Sequence, residues 1–175
     1  LLPLFGVNLD IATVLLAMIP FFTILFTPLF GALVDKVGKA TMWMVVGAAL
    51  VLASHLIITF APQGVPMYAY IAIALLGIGY SLVPSAMWPS VPKIIPEKNL
   101  GTAYSLIYWV QNLGMWSVPI LVGKIIKQGG ATHAGKISAA LNAEYIFIIL
   151  GVIAVGVAVM LMRASRKHPE LGLDK

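Results

Sequence analysis

The chain has 175 residues, 61% of them hydrophobic and 10% charged, with a formal net charge of +5. A water-soluble domain carries about 25% charged residues, so there are too few charges here to cover a solvated surface. The mean hydropathy of +1.00 makes the lipid bilayer the natural solvent for most side chains. The positive balance does not point to nucleic acid, because the basic residues form no stripe with interleaved aromatics. They sit between apolar runs, where Lys and Arg orient a protein in a membrane. The absence of cysteine excludes disulfides, thiolate chemistry and Cys-type zinc sites.

In chain order, residues 1–10 come first, of which 1–9 are apolar but too short to cross a bilayer. They read as the end of a preceding helix and an extracytoplasmic loop. No charged leader or cleavage site opens the chain, so no signal peptide is read there and a missing beginning is expected. A spanning helix needs about 20 mostly apolar residues. Five runs qualify: residues 11–34, 41–61, 67–91, 101–122 and 145–162. The first carries no charge, and only His55 interrupts the second. Polar turns at residues 35–39, 62–66 and 96–99 separate them, with Gly and Pro as breakers. Residues 124–144 form the longest polar connection, in which residues 137–144 are expected to form a short surface helix. Residues 163–175 are a short basic tail. The expected fold class is all-α integral membrane, with residues 11–175 forming one bundle of five transmembrane helices.

Lys and Arg set the orientation. One side holds eight of them, Lys36, Lys39, Lys93, Lys98, Arg163, Arg166, Lys167 and Lys175. The other holds three, Lys124, Lys127 and Lys136. The richer side is expected to be cytoplasmic, and the C-terminus with it.

The most informative stretch is Gly31-Ala-Leu33-Val-Asp35-Lys36-Val-Gly38-Lys39, between two apolar spans. Gly31 would let helix backbones approach closely. Gly38 suits a turn that a Cβ would hinder. Asp35 can face the positive N-terminus of a neighbouring helix. Lys36 and Lys39 can anchor the turn at an anionic surface. The pattern resembles the signature loop of the major facilitator superfamily, G-x-L-x-D-[RK]-x-G-[RK].

A closer resemblance, to the lysosomal dipeptide-transporter branch of that superfamily, runs over about residues 20–123. It is carried by residues 28–39, Ser54-His55, Gly79-Tyr80-Ser81-Leu82, Trp88-Pro89, residues 100–104 and Gln111-Asn112-Leu113-Gly114. The resemblance implies helices 8–12 of a twelve-helix facilitator, that is, part of its C-terminal six-helix half. It also implies alternating access and the facilitated diffusion of dipeptides or related small solutes. A proton-coupled carrier of another solute and a non-transporting membrane scaffold are the alternative readings.

Polar groups at membrane depth are costly and tend to line cavities or pair across helices. In the fourth span Tyr104, Tyr108, Gln111 and Met115 share a face, with Asn112 and Trp116 beside it. Gln111 and Asn112 carry donors and acceptors suited to amides and carboxylates. The resemblance implies that this helix faces the central cavity. Either these amides contact substrate, with Tyr104 and Tyr108 as walls, or they serve helix–helix bonding. In the third span Tyr80, Ser81 and Trp88 are further cavity candidates. Pro84, Pro89 and Pro92 mark either a gate or a permanent kink. His55 reads as a proton sensor or as a neutral histidine bonded to a neighbour.

None of the acids Asp10, Asp35, Glu97, Glu144, Glu170 and Asp174 falls within an expected membrane core. Coupling to protons would then reside in another part of the transporter, or be absent. No Ser-His-Asp set, metal-ligand cluster or phosphate-cradling loop is present. The expectation is a transporter rather than an enzyme, with no cofactor and no metal. Its expected partners are the N-terminal half of the same transporter, a small-molecule substrate and membrane lipid. The expected setting is a bacterial plasma membrane.

Overall fold

In hydrocarbon every backbone N–H and C=O must be paired within the segment that carries it, so apolar runs in a bilayer become helices. The computed structural model describes residues 2–174. A short helix α1 (Leu2–Phe5) precedes α2 (Leu9–Val37), α3 (Ala40–Phe60), α4 (Pro66–Ile94), α5 (Leu100–Gln128) and α6 (His133–Lys167). Single 3-10 turns occupy Glu97–Asn99 and Pro169–Leu171. The five long helices are all long and apolar enough to cross a membrane.

Local chemistry places the ends. Asn8 caps α2 by accepting from Ile11 N at 2.8 Å. Gly38 ends that helix at φ +70, a conformation that Cβ-bearing residues resist. Lys39 follows at φ 57, and the Trp43 indole N–H donates to Gly38 O at 3.1 Å. Pro66 opens α4 at a position where its missing N–H costs nothing. Thr132 caps α6 by accepting from Gly135 N at 3.1 Å.

The helices outrun the apolar runs. At about 1.5 Å per residue a 29-residue helix is about 43 Å long, against a hydrocarbon core of about 30 Å. α5 continues past Lys124 and Lys127, and α6 starts before Lys136. A charge ends a run of hydropathy, but long basic side chains reach the headgroups while the backbone stays helical. The polar connection expected at 124–144 therefore shrinks to residues 129–132, and the separate surface helix expected at 137–144 is instead part of α6.

Packing is uneven. α4 lies against both α2 and α3, and α6 covers the other side of α3. α3 and α4 meet at Gly47 and Gly79, where a Cβ on Gly79 would stand 2.7 Å from Gly47 O. By contrast, no described atom lies within 4 Å of where a Cβ on Gly31 would stand. Among the described residues the close approach of helices is made at Gly47 and Gly79, and none reaches Gly31. Serine hydroxyls bind the bundle further: Ser54 donates to Ala72 O at 2.8 Å, and Ser85 to Thr27 O at 3.1 Å. α5 contains no buried residue and contacts mainly α6.

Candidate substrate-cavity face

α4 and α5 meet through aromatic side chains. Pro92 has no N–H, so the carbonyl of Trp88, four residues earlier, loses its helical donor. Tyr104 supplies one, its hydroxyl donating to Trp88 O at 3.4 Å. The Trp88 ring lies 5.7 Å from that of Tyr104, and it stacks on Tyr108 at 5.0 Å and 28°. Offset aromatic pairs of this kind contribute about 0.5–1.5 kcal/mol beyond area burial. The fold thus gathers three of the candidate cavity residues, one from α4 and two from α5.

Gln111 and Asn112 follow on α5, and both are exposed. The Asn112 amide donates to Tyr108 O at 2.8 Å. The Gln111 amide reaches only Met115 Sδ, at 4.0 Å. These polar groups therefore lie exposed on a helix that has no buried residue.

Tyr80 and Ser81 stand apart from this group. Tyr80 lines an open groove of about 400 Å³ between α2 and α4, together with Ile19, Pro20, Thr23 and Ile24. Ser81 is 0% exposed and donates to Gly77 O at 2.7 Å within its own helix.

The signature residues cluster at the α2–α3 turn. Asp35, Lys36 and Lys39 are exposed, and Gly38 is half-buried. Asp35 and Gly38 help line a cavity of about 90 Å³, with Pro89, Ser90, Lys93 and Leu173. The carboxylate that meets the N–H groups at the start of α3 belongs to Asp174, at 2.9 Å from Thr41 N.

Sequence reasoning also missed the partner of His55. Its Nδ1 lies 2.8 Å from Glu144 Oε2, and its ring stacks on Phe147 at 4.9 Å and 9°. One signal was available: His55 near the end of its span and Glu144 just ahead of its own fall on the same side of the membrane.

The Major Facilitator Superfamily profile matches residues 1–174. The chain belongs to the major facilitator superfamily. It is a superfamily of membrane transporters, not of enzymes, and five long apolar helices fit part of its fold. The relatives include the lysosomal dipeptide transporter MFSD1 of Mus musculus, 43% identical over 104 residues, covering 59% of this chain and 22% of the relative. The Homo sapiens MFSD1 is 36% identical over 126 residues, covering 72% of this chain and 26% of the relative. The Danio rerio protein is 39% identical over 104 residues, covering 59% and 22%. The matched part of the chain thus spans about a quarter of each relative's length. No solved structure matches it.

Proposed function

We propose that this chain supplies helices 8–12 of a secondary transporter that moves small solutes by alternating access, with a dipeptide as the first substrate class to test. The observation that carries this reading is α5, a 29-residue apolar helix with no buried residue. An uncovered helix bearing two adjacent amides is costly facing lipid and useful facing a cavity. Trp88, Tyr104 and Tyr108 form an aromatic wall beside Gln111 and Asn112. Tyr80 lines the neighbouring groove. Ser81 acts in this reading through packing, because its hydroxyl is already bonded inside α4.

Transport then follows from rocking one half against the other about a midplane site. The signature turn, with its five polar or glycine positions Gly31, Asp35, Lys36, Gly38 and Lys39, lies on the cytoplasmic side in this orientation. The relatives are lysosomal by name, and none of them supports the bacterial plasma membrane expected from the sequence. The remaining transmembrane half is the partner that completes the cavity.

The test is uptake of a radiolabelled dipeptide into liposomes holding the complete transporter, with and without a pH gradient. Uptake that equilibrates without a gradient supports facilitated diffusion. Accumulation only with a gradient supports the proton-coupled reading instead. Absence of uptake under both conditions removes the dipeptide and calls for a wider solute panel.

A further inference from the structure

α3 begins without a side-chain cap of its own, because Lys39 precedes it in a left-handed conformation and makes no capping bond. The first N–H groups of a helix carry partial positive charge and need acceptors. The acceptor comes from 133 residues away. After α6 the chain turns through Pro169–Leu171 and Gly172, at φ +63, and runs back beneath the bundle. Asp174 Oδ1 accepts from Thr41 N at 2.9 Å. The Thr41 hydroxyl lies 2.8 and 2.7 Å from the two carboxylate oxygens. Ser165 at the end of α6 donates to Oδ2 at 2.7 Å. Lys39 N also donates to the Asp174 backbone carbonyl at 3.3 Å.

The residue before it completes the arrangement. Leu173 keeps 2% of its surface exposed. It lines the cavity of about 90 Å³ with Val34 and Asp35 of α2, Ala40 of α3, and Ala86 and Pro89 of α4. One carboxylate thereby joins the start of α3 to the end of α6, and one leucine reaches the ends of α2 and α4. Thr41 and Ser165 are buried, so a released Asp174 would take from both hydroxyls and from the Thr41 N–H the acceptor they share here.

We propose that residues 171–174 form a clasp, with Leu173 as its apolar plug and Asp174 as the cap of α3, that holds the signature-turn ends of α2, α3, α4 and α6 together as one body. Rocking of a half transporter requires ends that move together. Without the clasp, only the short α2–α3 turn and lateral packing would link these four ends. The clasp does not depend on which solute is carried.

Amide hydrogen exchange on the complete transporter in lipid nanodiscs tests this without any substrate. Asp174→Ala and Leu173→Ala should each speed exchange about 5-fold or more, the order expected from losing one cap, with the buried leucine costing at least as much. The effect should reach residues 34–43 and 86–93, while the Leu4 O to Gly64 N contact at the opposite end stays protected. Asp174→Asn keeps a side-chain acceptor and should retain part of the protection. Unchanged exchange in both alanine variants overturns the clasp. So does a change confined to residues 40–43, which describes a cap that binds nothing else. A change that spreads to Leu4 and Gly64 describes general loosening and overturns it too.

Discussion

Gln111 and Asn112 are neighbours in sequence but offer a solute different things. The Asn112 amide is already engaged by Tyr108 O at 2.8 Å, whereas the 4.0 Å contact of Gln111 with Met115 sulfur is weak. Gln111 therefore has the more available donors and acceptors. Gln111→Ala is expected to raise the KM for uptake about 5–10-fold, the loss of one net hydrogen bond of about 1–1.5 kcal/mol. Asn112→Ala should change it less, and unchanged kinetics in Gln111→Ala would remove its substrate role. His55 and Glu144 pose a stability question. His55→Ala strands a half-buried carboxylate, at a cost of about 1–3 kcal/mol, visible as a lower thermal midpoint. Glu144→Gln keeps an acceptor for the ring N–H and should cost less. If the pair is structural, the pH profile of uptake in His55→Ala matches that of the parent.

Asp174 carries its own pH expectation. Burial pushes its pKa up, but the bonds from Ser165 and Thr41, with the Arg166 charge nearby, outweigh that and hold it below the ordinary aspartate range. A carboxyl depressed in the folded state contributes stability that is fully present above its unfolded pKa and is lost as pH falls through the folded one. Protection of the Thr41 amide, corrected for intrinsic exchange, should therefore be the same at pH 5 and pH 8. A loss of protection between those values would contradict the assignment.

At the scale of helices, the α3–α4 seam depends on two residues without side chains. A Cβ on Gly79 would press on the backbone oxygen of Gly47 and on Leu50 and Val51. Backbone cannot step aside, so Gly79→Ala should cost about 1–3 kcal/mol by overpacking, measured as the thermal midpoint in detergent. Gly156→Ala on α6 meets nothing within 4 Å and should be neutral or slightly stabilising, as Ala favours helix over Gly. The helices themselves were legible in the sequence because a bilayer demands long apolar runs, and the α2–α3 turn was legible in its glycine and charges. Helix ends were not, because snorkelling lysines let α5 and α6 run on past the hydropathy. The His55–Glu144 contact spans 89 residues and the Asp174 cap 133. No local pattern encodes pairings at such separations. The union of Trp88 with Tyr104 lies between these cases. Pro92 announces a carbonyl in need of a donor, but only the fold decides which hydroxyl arrives.

For the molecule as a whole, uneven packing sets what the chain can do by itself. α2, α3, α4 and α6 cover one another, while α5 meets only α6 and the Trp88 region of α4 and leaves its amides exposed. The 175-residue chain alone should show no uptake above empty liposomes. Supplying all the remaining helices as a separate polypeptide should restore part of the complete transporter's rate, and uptake by the isolated chain would contradict the shared cavity. The candidate face was visible in sequence as a stripe on one helix. Which α4 residues would join it was not, since Tyr80 and Trp88 share a helix yet meet different neighbours.

The bareness of α5 has a further consequence during biogenesis. Ribosomes deliver α5 to the membrane before α6, so within this chain only the aromatic contact with α4 is there to receive it. Its adjacent amides Gln111 and Asn112 and its tryptophans Trp109 and Trp116 then depend for shelter on the half of the transporter that, in the helix 8–12 reading, is made first. A transporter whose two halves fail to meet would thus present α5 bare to the quality-control machinery of the membrane.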